Sequence, residues 1–517
     1  MQISIDANGQ TKPFQRHYLF CIGSGHAALA LRTDYVQQLK TLHDELGFER
    51  VRFHGIFDED MKVMLSMKNY MPLPGADNFY DLSFHQIGLA YDNILSCGMK
   101  PFVELDFMPE MLASGKQQLN FLYKANVTPP KDYAKWDALI CRFVRFLLDR
   151  YGEEEVRSWY FEVWNEPNIH AFFGGTQNDY FRLYEHTARA VKSVDGALRV
   201  GGPATACNAW IPEFVAYCRV NGVPVDFIST HQYMGEALGH VPMGMRQIVR
   251  MVRRTMKEMK RKGEGTFLDG VRLLVQDSSE AQEFPKDRFK KNVLTVREQA
   301  DGLPVYYTEW NASSACTAPH NDTRKIAANA VRTILDVDGC LAGSAIFAFS
   351  DIFEEINMFP QEFSGGFGLM TINGIKKPAY RAFQMLRQVG DMRLILPEFS
   401  GDVGAAAFVN EDGMQILVYR TDLMCREKQA EEVILKIAGG DFGRATVQKI
   451  DETHCNPYRL WKEMGSPSDM RPADAAALDG KCVLQEEAVD AACEEGMLIL
   501  RAELGVNDLY LYKLYKK

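Results

Sequence analysis

Two short stretches carry carboxylates in settings suited to chemistry. One is Trp164-Asn165-Glu166-Pro167-Asn168 and the other is Thr308-Glu309-Trp310-Asn311. Each follows an apolar, β-branched run, so each glutamate stands where a strand ends. One glutamate in such a place is usually a salt-bridge or helix-cap residue. Two of them, each beside Trp and Asn, suggest a matched pair. Carboxylates about 5–5.5 Å apart serve retaining glycoside hydrolysis, one as a protonated general acid and one as an ionised nucleophile. The neighbours suit those tasks. Pro167 helps to stop the strand behind Glu166. The Asn165 amide is of the type that bonds a sugar 2-OH. Trp164 and Trp310 offer flat faces of the kind sugars pack against.

Bringing two such distant strand ends together requires a particular scaffold. Runs at 17–23, 49–57, 100–107, 158–166, 198–202, 225–233, 304–311 and 344–351 are nearly all apolar on both parities. That is the pattern of parallel strands covered on both faces. Helical periodicity fills 35–48, 83–98, 136–152, 180–194, 210–222 and 324–339. The alternation predicts the α/β class, a (β/α)8 TIM barrel over 14–390, whose active face lies at the C-terminal ends of the strands. Beyond residue 390 short strand candidates alternate with Gly, Asp and Asn turns, with no comparable helical stretch. They predict a C-terminal antiparallel β-sandwich over 391–517, to which the segment 1–13 adds a strand.

Two features invite other readings. Residues 23–28 spell G-x-G-x-x-A after a strand, the outline of a dinucleotide fingerprint. A Rossmann chain needs two βαβαβ halves and a switch point, and this chain runs eight units without a break. Its glycines are read as permitting a tight turn, and no cofactor or metal is expected. In the long 234–303 connection, Met245, Ile248, Val249, Val252, Met256 and Met259 form a helical stripe opposite a strongly basic face. This is read as an amphipathic barrel helix with a solvated face, not as a nucleic-acid or membrane surface.

Composition narrows the partners. Lys and Arg number 58 against 68 Asp and Glu, a net charge of −10, which argues against nucleic acid. No run of about 18 apolar residues offers a membrane span. The eleven cysteines are scattered, odd in number and without a C-x-x-C, which suits reduced thiols and a cytoplasmic location. The expected partner is a small-molecule substrate.

WNEPN with a distant TEWN resembles the retaining (β/α)8 glycoside hydrolases. More specifically, the chain resembles glycoside hydrolase family 39, the β-xylosidase and α-L-iduronidase family, and its bacterial β-xylosidase branch in particular. The resemblance rests on CIGSGHAALALR (21–32), VRFHGIFDEDM (51–61), KPFVELDFMPEMLASG (100–115), FEVWNEPNIHAFF (161–173), DFISTHQY (226–233), FSDIFEE (349–355) and SGGFGLMTINGIKKPAYRAF (364–383), among others. It covers nearly the whole chain.

The resemblance implies a general acid/base at Glu166 and a nucleophile at Glu309. It implies a contact from Asn165 to the sugar 2-OH and a place in the sugar pocket for His54. His231 and Tyr233 would hold the nucleophile, and Glu354 and Glu355 would grip xylose hydroxyls. Two positions depart from the family pattern: Phe347 stands where a Trp is frequent, and Thr230 where an Arg is frequent. Both bear on sugar preference, as does the long 234–303 connection, and neither touches the carboxylate pair.

The implied activity is a retaining exo-glycosidase, a β-D-xylosidase acting on xylo-oligosaccharides or aryl xylosides. The alternatives are an α-L-arabinosidase, an iduronidase-like enzyme, or a catalytically silent carbohydrate-binding protein. The resemblance also implies a homo-oligomer, such as a tetramer.

Overall fold

The computed structural model describes residues 1–67, 70–71, 73–76, 79–119, 121–239, 253, 256–257, 259–261, 284–355, 359 and 361–517. Of the stripe expected over 243–265, Met245, Ile248, Val249 and Val252 lie outside the described residues, while Met256 is exposed; of the basic face, the described Arg253, Lys257, Lys260 and Arg261 are exposed.

Eight parallel strands close into a barrel: β1 (Cys21–His26), β2 (Arg50–His54), β3 (Lys100–Leu105), β4 (Tyr160–Val163), β5 (Arg199–Thr205), β6 (Phe227–Tyr233), β7 (Val305–Asn311) and β8 (Gly343–Ile346). Each pairs with its neighbours in sequence, and β8 returns to β1. The (β/α)8 class read from the sequence is the observed one. Around the strands run α1 (Thr33–Leu46), α2 (His85–Ser96), α3 (Tyr133–Tyr151), α4 (Gln177–Val194), α5 (Ile211–Asn221), α6 (Arg288–Gln299), α7 (Arg324–Asp336) and α8 (Pro378–Arg387).

Local chemistry sets the ends of these helices. Asp132 accepts the Ala134 and Lys135 N–H groups at the start of α3, and Thr176 and Asp179 form a capping box on α4. Gly47, at φ +79°, ends α1. Helix α6 escaped the sequence reading because only Phe289, Asn292, Val293 and Val296 of its twelve residues turn inward. Apart from the exposed Leu294 the rest of its surface is polar, and the apolar stripe is too thin to announce a helix.

Inside the barrel the side chains stack in layers. At the N-terminal end Phe102, Tyr160, Phe227 and Tyr306 pack against Phe20 and close the floor. Above them come Arg52, Glu104, Glu162 and Thr308, all buried. Charge in the middle of three of these apolar strands faces inward, because the outer faces pack on helices. The barrel is therefore sealed below and polar above.

The C-terminal residues form two sheets. One runs, in spatial order, through Glu487–Ala488, Phe442–Ile450, Leu509–Lys516, Gly413–Arg420, Val403–Asn410, Met392–Leu394 and Thr11–Pro13. The other runs through Gln2–Asp6, Glu431–Ala438, Met497–Leu504 and Ala492–Glu494. Ile3, Ile416, Val418, Leu435, Leu500 and Tyr512 from both sheets share one core. The strand pairs are antiparallel except for Gln2–Asp6, which lies parallel to Glu431–Ala438. Two short helices, Pro457–Glu463 and Pro472–Lys481, were not expected from the sequence. Each has only two buried residues, too few for a visible period. Trp461 and Leu478 from them pack on Phe363 and Ile375, in the segment that follows β8.

Candidate active site

The two glutamates read from the sequence meet at the C-terminal rim of the barrel. Glu309 is held in β7, two residues before the strand ends. A register shift between Thr230 and His231 on β6 sets His231 directly opposite it. Glu166 lies just past β4, on a turn in which Trp164 (φ +70°) and Glu166 (φ +43°) are both left-handed. The Glu166 N–H donates to the Ala204 carbonyl at 2.9 Å, and the Asn168 side chain both donates to and accepts from the Ala206 backbone. This turn, strained for non-glycine residues, is thus tied to β5. One carboxylate oxygen of each glutamate and a ring nitrogen of His231 lie within 4.8 Å of one another. Glu166 and Glu309 are both buried.

The two carboxylates differ in their partners. Arg52 Nη1 donates to Glu309 Oε1 at 2.9 Å, and the Tyr233 hydroxyl donates to Glu309 Oε2 at 2.9 Å. Each oxygen of Glu309 therefore has its own donor. Among the described residues no Lys or Arg pairs with Glu166, whose partner is the His231 ring. Burial pushes its carboxyl well above the usual carboxylate range, and the charges of Glu309 and Glu236 push it further. Burial, with the Glu309 charge next, likewise keeps the Tyr233 hydroxyl protonated.

His231 fixes which oxygen of Glu166 is free. Its Nε2 lies 3.3 Å from Arg52 Nη2, and a guanidinium only donates. Nε2 is therefore the acceptor, and the proton is assigned to Nδ1, which donates to Glu166 Oε1 at 3.0 Å. Burial and Arg52 hold the imidazole well below its ordinary pKa, so it stays neutral. A proton on Glu166 then resides on Oε2.

Arg52 joins the whole cluster. Its guanidinium also donates to Glu162 Oε2 at 2.6 Å and to Asn165 Oδ1 at 3.1 Å, and it pairs with Glu104. The bond to Oδ1 fixes the Asn165 amide, leaving Nδ2 turned away from Arg52. Glu162 is held in addition by the Thr308 hydroxyl at 2.8 Å. Arg52, Glu104 and Glu162 were not singled out from the sequence. The signal for them is a charge inside an apolar parallel strand, as in V-R-F-H, F-V-E-L and Y-F-E-V.

The remaining expected residues divide. His54 Nδ1 bonds Glu104 Oε1 at 2.8 Å, and its Nε2 stands 3.6 Å from Glu309 Oε1 and 3.9 Å from Glu355 Oε1. Burial and Arg52 lower its pKa to about 4. Glu355 is buried, and that burial raises its carboxyl well above the ordinary range. Phe347 forms a wall beside His54, ring centres 6.0 Å apart, and packs on Phe353 and Phe367. Glu354 departs from this group: at φ +57° it turns to the Arg32 guanidinium.

Three expectations need correction. Trp164 and Trp310 are not sugar platforms. Both are fully buried, Trp164 against Phe107 and Phe173, with its indole N–H on the Phe172 carbonyl, and Trp310 against Phe289. Thr230 is buried, with its hydroxyl on the Thr205 carbonyl. Gly23 and Gly25 make no left-handed turn. A side chain on Gly23 would meet the Phe347 ring at 2.6 Å, and one on Gly25 the Phe353 carbonyl at 2.5 Å. These glycines let β1 approach the segment after β8.

That segment is pinned from below. Lys377 Nζ, buried, pairs with Asp322 Oδ1 and Asp351 Oδ2 at 2.7 Å each and donates to the Gly366 carbonyl at 3.0 Å. Asp351 Oδ1 accepts the Gly368 N–H at 2.8 Å. Glu355 and Phe353 sit on the loop so anchored.

Among the described residues no helix is long and apolar enough to cross a membrane, and all eleven cysteines are unpaired. The family model for glycosyl hydrolases family 39 matches residues 1–265 and 266–474. The chain is 40% identical over 495 residues to a β-xylosidase of Caldicellulosiruptor saccharolyticus, covering 95% of this chain and 93% of that protein. It is 33% identical over 472 residues to a β-xylosidase of Geobacillus stearothermophilus, covering 90% and 86%. The crystal structure of a monomeric β-xylosidase from Caulobacter crescentus CB15 superposes with a TM-score of 0.78 at 30% identity, covering 100% of this chain and 99% of that one.

Proposed function

The chain belongs to glycosyl hydrolases family 39, a family of retaining glycosidases, and from that premise we propose a β-D-xylosidase that releases xylose from the ends of xylo-oligosaccharides. The observation that carries the residue assignment is the asymmetry of the paired carboxylates. Glu309, with one donor on each oxygen, is held and aimed as the nucleophile. Glu166, buried and beside other carboxylates, is kept protonated.

In the first step Glu309 attacks the anomeric carbon while Glu166 gives the proton on Oε2 to the departing oxygen. A covalent glycosyl-enzyme forms. Its formation removes the charge of Glu309, so Glu166, having lost its proton, becomes the base that takes one from water. Asn165 Nδ2 is turned to meet the sugar 2-OH. His54 Nε2, Glu309 and Glu355 present acceptors, a lining suited to a ligand that brings hydroxyl donors. Phe347 covers one side of it.

A neutral sugar fits better than a uronic acid. A sugar carboxylate calls for Arg or Lys in the pocket, and Arg52, the cation described in this cluster, is wholly buried and taken up by carboxylates. We extend the proposal to a cytoplasmic homo-oligomer, which light scattering would read as a multiple of 58.6 kDa.

The test is a panel of aryl glycosides with the released anomer followed by NMR. β-Xyloside should be the preferred substrate and β-xylose the first product. Preference for an α-L-arabinoside or an iduronide would overturn the substrate, and sugar binding without turnover of any glycoside would overturn the enzymatic reading.

A further inference from the structure

Beneath the sugar-facing groups lies a second carboxyl pair. Asp106, one residue past β3, is fully buried. Its Oδ1 accepts the Gly55 N–H at 2.7 Å, while its Oδ2 meets no N–H or O–H donor among the described residues. A ligand atom of Asp106, one of Glu104 and a His54 nitrogen lie within 4.8 Å of one another, all three residues buried. A buried carboxylate oxygen without a donor, set beside a second carboxylate, is strongly disfavoured as an ion, so one of the two carries a proton. Glu104 is the one faced by donors: Arg52 on Oε2 and His54 Nδ1 on Oε1. Asp106 has only a neutral backbone N–H, and Asp58 is another carboxyl nearby.

We propose that Asp106 is a protonated carboxylic acid whose O–H donates to Glu104, and that it acts as a positioning residue for His54. With Arg52 and Asp106 both donating to it, Glu104 stays an acceptor, and His54 must present its N–H on the Nδ1 side. Nε2 is thereby left bare toward Glu309 and Glu355, ready to accept a sugar hydroxyl. The direction of the sugar contact is set three residues away, by an acid that never touches substrate. Burial and the neighbouring Glu104 charge, which hold the Asp106 carboxyl well above the usual range, agree with this. The catalytic consequence rests on the glycosidase reading above, whereas the protonation state does not.

The discriminating variant is Asp106→Asn. Its amide oxygen can accept the Gly55 N–H and its Nδ2 can donate to Glu104, so it reproduces the acid and not the carboxylate. Asp106→Ala removes the donor at the same place. On an aryl β-xyloside, Asp106→Asn should keep kcat/KM within about threefold of wild type and leave the pH profile in place. Asp106→Ala should lose about 10- to 150-fold, the rate equivalent of one buried charge-assisted hydrogen bond.

Infrared difference spectra of wild type against Asp106→Asn should show the carbonyl stretch of a buried carboxylic acid, sensitive to deuterium, lost in the variant. An absent acid band, or an Asn variant as impaired as the Ala variant, overturns the proposal. If wild type turned over no xyloside, the functional reading would fail while the infrared band still decided the state of Asp106.

Discussion

Replacing Tyr233 by Phe removes one oxygen and leaves the ring. Tyr233 is buried beside Glu309, and its hydroxyl is the donor to Glu309 Oε2, at 2.9 Å. After the change Glu309 keeps the Arg52 bond on Oε1 and loses its second anchor. A hydrogen bond to a charged group contributes about 1.5–3 kcal/mol. At about 1.4 kcal/mol per decade this is roughly a 10- to 150-fold fall in kcat/KM. The loss should fall on kcat, because Tyr233 holds the nucleophile and not the sugar. A further fraction comes from aim, since Glu309 becomes free to turn about its remaining bond. The assay is steady-state hydrolysis of an aryl β-xyloside, with circular dichroism and a urea transition to show that the fold is kept. A Tyr233→Phe enzyme with wild-type kcat, or one altered in KM alone, would refute the reasoning.

Three further outcomes follow from other parts of the site. Glu166→Ala should lower kcat by about 10²–10⁴-fold on a poor leaving group and much less on an activated aryl xyloside, because only the former needs a proton donor. Azide should restore turnover, and a variant that azide leaves unchanged would count against Glu166 as acid/base. Because Glu166 must be protonated and its pKa is raised, wild-type activity should fall as pH rises through that group, and this alkaline limb should vanish in the variant. Lys377→Met leaves Asp322 and Asp351 buried without their cation and should destabilise the fold by about 3–5 kcal/mol in urea melts. Asp351, already raised to about 7 by burial with Lys377 present, binds its proton more tightly folded than unfolded. Without Lys377 the carboxyl is raised further, so the defect should grow as pH rises through about 7, where wild-type Asp351 ionises against its cation, and the opposite trend would contradict the sign. Gly25→Ala would place a Cβ 2.5 Å from the Phe353 carbonyl. It should shift the loop carrying Glu355, costing about 1–3 kcal/mol of stability and raising KM for xyloside, whereas unchanged KM would show that the loop does not bear on the sugar.

Much of the architecture was legible because parallel barrels write themselves plainly. Eight apolar runs and the helical stripes between them follow from strands covered on both faces. The paired glutamates were legible because each stood at a strand end. Helix α6 and the two tail helices were not, because few of their residues face inward. Trp164 and Trp310 misled for a related reason. They flank the glutamates in sequence, but alternation along a strand sends neighbours to opposite faces, and the left-handed turn at 164–166 buries Trp164. The polar layer below the rim was visible in principle as charges inside strands. What no sequence pattern gave is the sharing of Arg52 among Glu104, Glu162 and Glu309, since this depends on how β2, β3, β4 and β7 curve around one axis. Glu354 and Glu355 are adjacent, yet the backbone turn at φ +57° sends Glu354 to Arg32 and leaves Glu355 beside His54.

The central claim is that Glu309 forms a covalent bond to the sugar. A 2-deoxy-2-fluoro-xyloside with an activated leaving group slows both steps and lets the intermediate accumulate. Mass spectrometry of the digested protein should then find one fluoroxylosyl group, on the peptide containing Glu309, and Glu309→Gln should take none. A label on another residue, or an unlabelled enzyme that releases α-xylose first, would contradict the account.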